Sequence, residues 1–171
     1  ELEGIETLHL LPADRGGRND RYGLDWSPDG RCLASTGSEG LRLWDTAQWR
    51  EVVRQTHERA DSLLFDPQGR WLAIYGTSGI RRWLRSPSAG AAQPFRLGPL
   101  EDIELDGRSD WLRMARDRAG RLLVFAERQH LQAVVVSTDG SGRRRVLEGL
   151  TDVFAVALSA EGRLDDAAAH V

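Results

Sequence analysis

Residues 24–30 read L-D-W-S-P-D-G and continue with R-C-L-A, and residues 63–69 read L-L-F-D-P-Q-G and continue with R-W-L-A. The two stretches share a glycine followed by arginine, and these glycines, Gly30 and Gly69, lie 39 residues apart. Because a phrase that returns at a fixed distance is the signature of a repeat architecture, the rest of the chain is best aligned on the same glycine.

Two further glycines continue the series. Gly120 is followed by R-L-L-V and Gly162 by R-L-D-D, at spacings of 51 and 42 residues. A period of roughly 40–45 residues is typical of the four-stranded blades of a β-propeller. The longer spacing contains S-P-S-A-G-A-A-Q-P at 86–94, whose small residues and prolines predict an enlarged loop.

The repeated phrase predicts two strands joined by a tight turn. Pro28 presets φ at a turn position, and Gly30 can adopt a positive φ at the end of the turn. Leu24 and Trp26 alternate with polar residues, as in a half-buried strand, and the repeat-equivalent tryptophans are expected in the core. Helical spacing is not sustained anywhere; the best candidate is the short tail 164–171, which we expect to fray. The chain is therefore predicted to be all-β.

The stretch 24–45 resembles a WD-repeat blade, with S-P-D-G, a G-S turn and a strand that closes on W-D. Residues 57–83 are similar in part: His57 stands at the position of the family's histidine, and Trp83 at that of the closing tryptophan, although Leu84 replaces the acid. The resemblance implies a WD-repeat-like β-propeller. The arginine-rich style is also similar to propeller regions of bacterial kinase-associated signalling proteins.

In this family a His–Ser/Thr–Asp–Trp network of hydrogen bonds stabilises each blade, and the resemblance implies only partial networks here. Trp44 has Ser35 or Thr36 nearby but no matching histidine. His57 and Trp83 have Thr77 or Ser78 but no acid in the turn. The predicted structural residues of the blades are therefore Trp44, His57 and Trp83, together with the turn glycines Gly30 and Gly69.

The repeat divides the chain into parts of a single propeller. Residues 1–20 are expected to hold the last strand of a preceding blade and a linker, 21–56, 57–100 and 101–149 to form three full blades, and 150–171 to begin a further blade and end in a tail. These are predicted to form a fragment or an open arc. Open sheet edges favour self-association, so the isolated chain is expected to be oligomeric, aggregation-prone or marginally stable.

Composition excludes several classes of partner. The formal net charge of −3 gives no general attraction to nucleic acid or to anionic membranes, and no apolar run is long enough to cross a bilayer. No signal peptide is visible, and the single cysteine, Cys32, fits a reducing compartment, so a cytoplasmic location is expected.

Candidate catalytic and metal sites are weak. The four histidines have no metal-ligand spacing, no G-x-S-x-G elbow occurs, and the glycine-rich pieces 76–79 and 139–142 fit hairpins better than phosphate loops, so no cofactor or metal is expected. Arg143–Arg145 form the one notable charge cluster together with Arg113, Arg116, Arg118 and Arg121. Since alternate residues of a strand face opposite sides, the triplet is interpreted as a solvated edge rather than a nucleic-acid site.

The sequence therefore favours a non-catalytic scaffold for protein partners. Rigid blades would hold the loops between second and third strands, and those linking blades, at one end of the molecule. The predicted contact residues on these loops are Glu39, Glu58, Arg59, Glu127 and Arg128.

The alternative is a propeller enzyme or ligand-binding protein, of hydrolase or lactonase type, with a site in the central channel. Such a site needs polar side chains that converge from the first strands of several blades. The first strands offer mainly Asp25 and Arg113.

Overall fold

A computed structural model describes residues 23–37, 39–56, 60–76, 79–86, 96–103, 111–127, 132–148, 155–158 and 167–170. Every regular element in these ranges is a β-strand, which confirms the all-β prediction. The strands form three four-stranded antiparallel sheets and one two-stranded sheet. None of the described residues lies in a helix long and apolar enough to cross a membrane.

The strands follow one another within each sheet in chain order. Sheet 1 comprises β1 (Leu24–Trp26), β2 (Cys32–Gly37), β3 (Gly40–Asp45) and β4 (Arg50–Gln55). Sheet 2 comprises β5 (Ala60–Phe65), β6 (Trp71–Gly76), β7 (Gly79–Arg85) and β8 (Leu97–Ile103). Sheet 3 comprises β9 (Trp111–Arg116), β10 (Leu122–Glu127), β11 (Gln132–Ser137) and β12 (Arg144–Leu147). Sheet 4 comprises β13 (Ala155–Leu158) and β14 (Ala167–His170).

The first strand of each sheet lies against the first strand of the next. β1 contacts β5, β5 contacts β9, and β9 contacts β13. The sheets thus fan out from a common line of first strands, with β4, β8 and β12 at the far edges of their sheets. This radial arrangement is that of propeller blades in an open arc.

Sheets 2 and 3 are apolar on both faces because each is covered by a neighbouring sheet on both sides. In sheet 2 the side chains of Leu72 and Ile74 face sheet 1, whereas Trp71, Ala73 and Tyr75 face sheet 3. The strands of such a sheet are continuous hydrophobic runs rather than alternating ones, and β6 (W-L-A-I-Y-G) is buried along its whole length.

Three apolar clusters join the four sheets in sequence. The first joins sheets 1 and 2, with Phe65 of sheet 2 fully buried among Ala34 and Leu43 of sheet 1. The second joins sheets 2 and 3, and it contains Trp71, Tyr75, Met114 and Phe125 among others. The third joins sheets 3 and 4 through Val124, Val135 and Val156.

The turns after the first strands have the conformation that the repeat predicts. Gly30, Gly69 and Gly120 have φ values of 68°, 68° and 65°, in the left-handed region that glycine tolerates best. In each turn the glycine N–H donates to the carbonyl three residues before it, at 2.8–3.1 Å. Gly30 and Gly69 thus have the conformation expected of turn glycines, and their structural role stays a prediction.

A buried polar residue before each turn holds the turn closed, and this was not predicted. In sheet 1 Ser27 Oγ accepts a hydrogen bond from the Cys32 N–H (2.9 Å). In sheet 2 Asp66 accepts from the Arg70 N–H (2.9 Å), and in sheet 3 Asp117 accepts from the Arg121 N–H (2.6 Å). A serine or aspartate suits this position because its side-chain oxygen satisfies backbone donors that the turn leaves unpaired.

The expectation that Trp26 packs in the core is wrong. Trp26 is 46% exposed and Leu24 is 61% exposed. The strand does alternate, but Asp25 faces sheet 2, because it pairs with Ala34 of the apolar face. The Trp26 ring instead forms a T-shaped contact with the half-buried Trp49, with the ring centroids 6.0 Å apart.

Two further segments differ from the sequence analysis. The second blade was expected to end at residue 100, whereas its last strand, β8, begins at Leu97 and extends to Ile103. The tail was expected to fray, whereas Ala167–His170 pair with β13. In that pairing β13 supplies a template for hydrogen bonds, which overrides the helical propensity of alanine.

Candidate functional site: an arginine-lined cleft between sheets 2 and 3

Most of the predicted contact surface falls outside the described residues. Glu58, Arg59 and Arg128 lie there, and for Glu127 only the backbone, at the end of β10, is described. Glu39 has a half-exposed side chain that pairs with Arg42 and lies 3.7 Å from Arg54. The structure therefore does not bring the five predicted residues together as one described surface.

Of the predicted structural residues, Trp44 forms the expected hydrogen bond. Its Nε1 donates to Ser35 Oγ at 2.9 Å, and the ring is 5% exposed. Trp83 is half-buried against the cluster between sheets 1 and 2. His57 lies outside the described residues, so its part in a network stays a prediction.

Two arginines of sheet 2 reach across to sheet 3. Arg70 forms a bidentate pair with Asp66 (2.8 Å for both contacts), and its NH2 also donates to the carbonyls of Ala119 and Gly120 (3.2 and 3.3 Å). The Asp66 carboxylate raises the pKa of Arg70. Arg82 donates to Glu101 of its own sheet (2.8 Å) and to the carbonyl of Thr138 in sheet 3 (2.6 Å).

A cleft of about 450 Å³ opens between sheets 2 and 3 beside these two contacts. It lies at the end of the molecule that carries the turns after the first strands, which is opposite to the end predicted for partner binding. Its basic lining residues are Arg70, Arg82, Arg121 and Arg143. Its apolar lining residues are Trp71, Leu84 and Leu122, and Ser137, Thr138 and Asp139 complete it.

Guanidinium groups supply most of the accessible charge of this cleft. The side chains of Arg121 and Arg143 are 65% and 67% exposed and that of Arg70 is 49% exposed, whereas those of Asp66 and Asp117 are 0% exposed. Asp139 is exposed beside Arg143 (3.1 Å), and hydrogen bonds from Ser141, Ser137 and Arg143 hold its pKa below the usual range. A molecule that enters the cleft therefore meets mainly positive charge.

This cleft was not predicted from the sequence, in which Arg121 and Arg143 were interpreted as part of a solvated edge. The missed signal is the arginine that follows each turn glycine, at positions 31, 70, 121 and 163. In the described blades this position places Arg31, Arg70 and Arg121 at the same end of successive sheets.

Near the line of first strands, Asp25 connects three sheets. Its Oδ2 accepts a hydrogen bond from the Phe65 N–H of sheet 2 (2.8 Å) and lies 3.8 Å from Arg116 NH2 of sheet 3. Among the described residues no group of three His, Cys, Asp or Glu side chains is placed to hold a metal ion. Asp25, the acid on which the channel-enzyme alternative relied, is thus engaged in a contact between blades.

A smaller cleft of about 180 Å³ opens between sheets 1 and 2 at the opposite end, where the predicted contact loops begin. Its lining includes Leu41, Trp83 and Leu100, the last of which is 42% exposed.

These sheets, with their sequential antiparallel strands and adjoining first strands, define a WD-repeat-like β-propeller of three full blades and a partial one. The chain is similar to the β-propeller domain of Cps50 (Swd1) from Myceliophteria thermophila, with a TM-score of 0.67 and 18% identity over 84% of this chain and 45% of that one. It is also similar to a chain of the mitotic checkpoint complex, with a TM-score of 0.61 and 21% identity over 82% of this chain and 44% of that one.

The chain thus spans less than half the length of either similar structure, and at these identities the likeness concerns the fold. No protein-family model and no curated protein matches the sequence.

Proposed function

We propose that the chain is a non-catalytic protein-interaction module that presents the connectors between its strands to protein partners. The observation that carries this proposal is the continuous packing of each blade against the next, through apolar clusters on both faces of sheet 2 and the contacts of Arg70 and Arg82 with sheet 3. Connectors held by such a framework lose little conformational entropy when a partner binds.

Similar structures give this proposal further support. One of the similar chains belongs to the mitotic checkpoint complex, which is an assembly of proteins. The predicted contact residues of this chain, Glu39, Glu58, Arg59, Glu127 and Arg128, remain the proposed surface at the connector end. A bacterial origin, association with a kinase and a cytoplasmic location remain predictions from the sequence.

Selection from a displayed library of random peptides, followed by affinity measurement on the purified chain, tests the proposal. We expect saturable binders whose affinity falls when all five contact residues are changed to alanine. The matched control is Arg50→Ala with Arg118→Ala, which removes two exposed charges at the opposite end from the connectors. A library that yields no saturable binder would contradict the proposal, and binders indifferent to the five changes would contradict the surface.

Self-association through open sheet edges stays a separate prediction. Sedimentation velocity of the purified chain tests it directly. A concentration-dependent rise in sedimentation coefficient is expected, and a stable monomer would contradict the prediction.

A further inference from the structure

The turn arginines occupy equivalent places in sheets 1, 2 and 3, but only two of them line the cleft. Arg70 and Arg121 both do so, whereas Arg31 of sheet 1 does not. The cleft arises because two more arginines approach the same space. Arg82 comes from the third strand of sheet 2, and Arg143 comes from the turn between the third and fourth strands of sheet 3. The stacking of sheet 2 on sheet 3 therefore brings four guanidinium groups into one cleft, whereas each turn by itself supplies a single one.

Two of the carboxylates that accompany these arginines are placed behind them, whereas Asp139, which pairs with Arg143, is exposed in the lining of the cleft. Asp66 and Asp117 are fully buried beneath the turns, where they accept backbone N–H groups of Arg70, Arg121 and Leu122. They hold the turns in place but do not meet a molecule in the cleft. The accessible faces of Arg70, Arg121 and Arg143 can thus donate to an anion, and planar guanidinium groups suit carboxylates through paired hydrogen bonds.

The walls of the cleft are held firmly on both sides. Arg70 bonds to two carbonyls of the facing turn, and Thr138, which lines the cleft, donates its N–H to the Arg121 carbonyl (2.8 Å) and its hydroxyl to the Gly120 carbonyl (2.7 Å). Trp71, Leu84 and Leu122 add an apolar lining. A fixed site with cationic and apolar walls fits a segment that carries acidic and apolar side chains together.

We propose that this cleft binds an anionic peptide segment in which Asp or Glu residues flank an apolar residue. The proposal rests on the proposed function as a protein-interaction module and names a site and a partner chemistry for it. A recess of about 450 Å³ between two sheets admits a few side chains of a peptide. A polyanion such as duplex DNA is disfavoured by the net charge of −3, since nucleic-acid affinity depends on an extended positive surface.

The test measures fluorescence anisotropy of a labelled peptide of the pattern Glu-Asp-Leu-Glu-Asp with the 171-residue chain. Its amide counterpart, Gln-Asn-Leu-Gln-Asn, is the control for charge. We expect saturable binding of the acidic peptide alone, weakened as ionic strength rises. Arg121→Gln and Arg143→Gln are each expected to weaken binding about tenfold, the effect of losing one hydrogen bond to a charged group.

The matched control variant is Arg31→Gln, which removes the same charge from the equivalent turn of sheet 1, outside the cleft. It is expected to leave binding unchanged. Any of four results would overturn the proposal: equal losses of affinity for Arg31→Gln and Arg121→Gln, equal binding of both peptides, no binding, or stronger binding of duplex DNA than of the peptide. Library binders that depend on the connector end alone would also overturn it while leaving the proposed function intact.

Discussion

Replacing Gly120 by alanine should destabilise the protein far more than the same change at Gly30. Both glycines occupy the same turn position with nearly the same positive φ. A Cβ on Gly30 would have no heavy atom within 4 Å, whereas one on Gly120 would collide with Asp66 Oδ1 and lie 2.7 Å from Pro67 Cδ. The comparison therefore separates backbone strain from contact between blades.

The expected magnitudes follow from these two contributions. Alanine in a left-handed conformation costs about 1–2 kcal/mol in either turn. At Gly120 the added methyl group must also displace the buried Asp66, and with it the pair with Arg70, and overpacking of this kind costs about 1–3 kcal/mol more. Gly69 is an intermediate case, since its Cβ would lie 3.5 Å from Pro28 Cγ, an ordinary contact.

Equilibrium unfolding in urea, followed by tryptophan fluorescence and circular dichroism, measures the difference. The account predicts that Gly120→Ala loses at least about 1 kcal/mol more stability than Gly30→Ala or Gly69→Ala. If the three variants have the same stability, the turns of neighbouring blades do not press on one another, and the reasoning about blade contact is wrong.

Three further changes test the blades individually. Trp44→Phe should cost about 1–2 kcal/mol through loss of the hydrogen bond to Ser35, whereas Trp49→Phe should cost less in the same urea experiment; equal costs would contradict this role for Trp44. Burial raises the pKa of the Cys32 thiol to about 12, so a disulfide reagent at pH 8 should label it only after unfolding, and rapid labelling of the folded chain would refute its burial. For Asp29, burial raises the pKa, but hydrogen bonds from Ser27 and Arg31 and the charges of Arg85 and Arg31 outweigh it and hold the pKa below its usual value. The wild-type chain should therefore be more stable than Asp29→Asn, by a free-energy difference that is complete well above about pH 4 and shrinks as the pH falls below about 4. Urea unfolding across this pH range measures the difference. A difference that does not depend on pH would contradict the assignment.

The turns were predictable because their signals are local. Proline and glycine restrict or permit φ within four residues, and Gly30 and Gly69 adopt the conformation that their sequence indicates. The strands that follow were predictable for the same reason, since β6 and β10 are short apolar runs directly after a turn.

The orientation of β1 could not be predicted from its own residues. Leu24 and Trp26 alternate with Asp25, and the hydrophobic pattern favours the tryptophan as the buried residue. The register with β2 decides otherwise, because Asp25 pairs with Ala34 and meets the Phe65 N–H. A single polar contact to a residue 40 positions away is not visible in the local pattern.

The cleft was missed for a related reason. Arg70 and Arg121 are 51 residues apart in sequence, and Arg82 and Arg143 are separated even further. Only the stacking of sheet 2 on sheet 3 brings them to one space. The recurring Gly-Arg pair indicates where arginines recur, but their distance across the blades depends on packing.

The central claim is that successive sheets fan out in chain order, so that the apolar side chains of each sheet pack only against those of its neighbours in the described part of the chain. Nuclear Overhauser contacts between side chains of the isotope-labelled chain test it most directly. The account predicts contacts of the Phe65 ring with apolar residues of sheet 1 and of the Phe125 ring with those of sheet 2. Contacts of the sheet 1 apolar face with sheet 3, as in a two-layer sandwich, would contradict it.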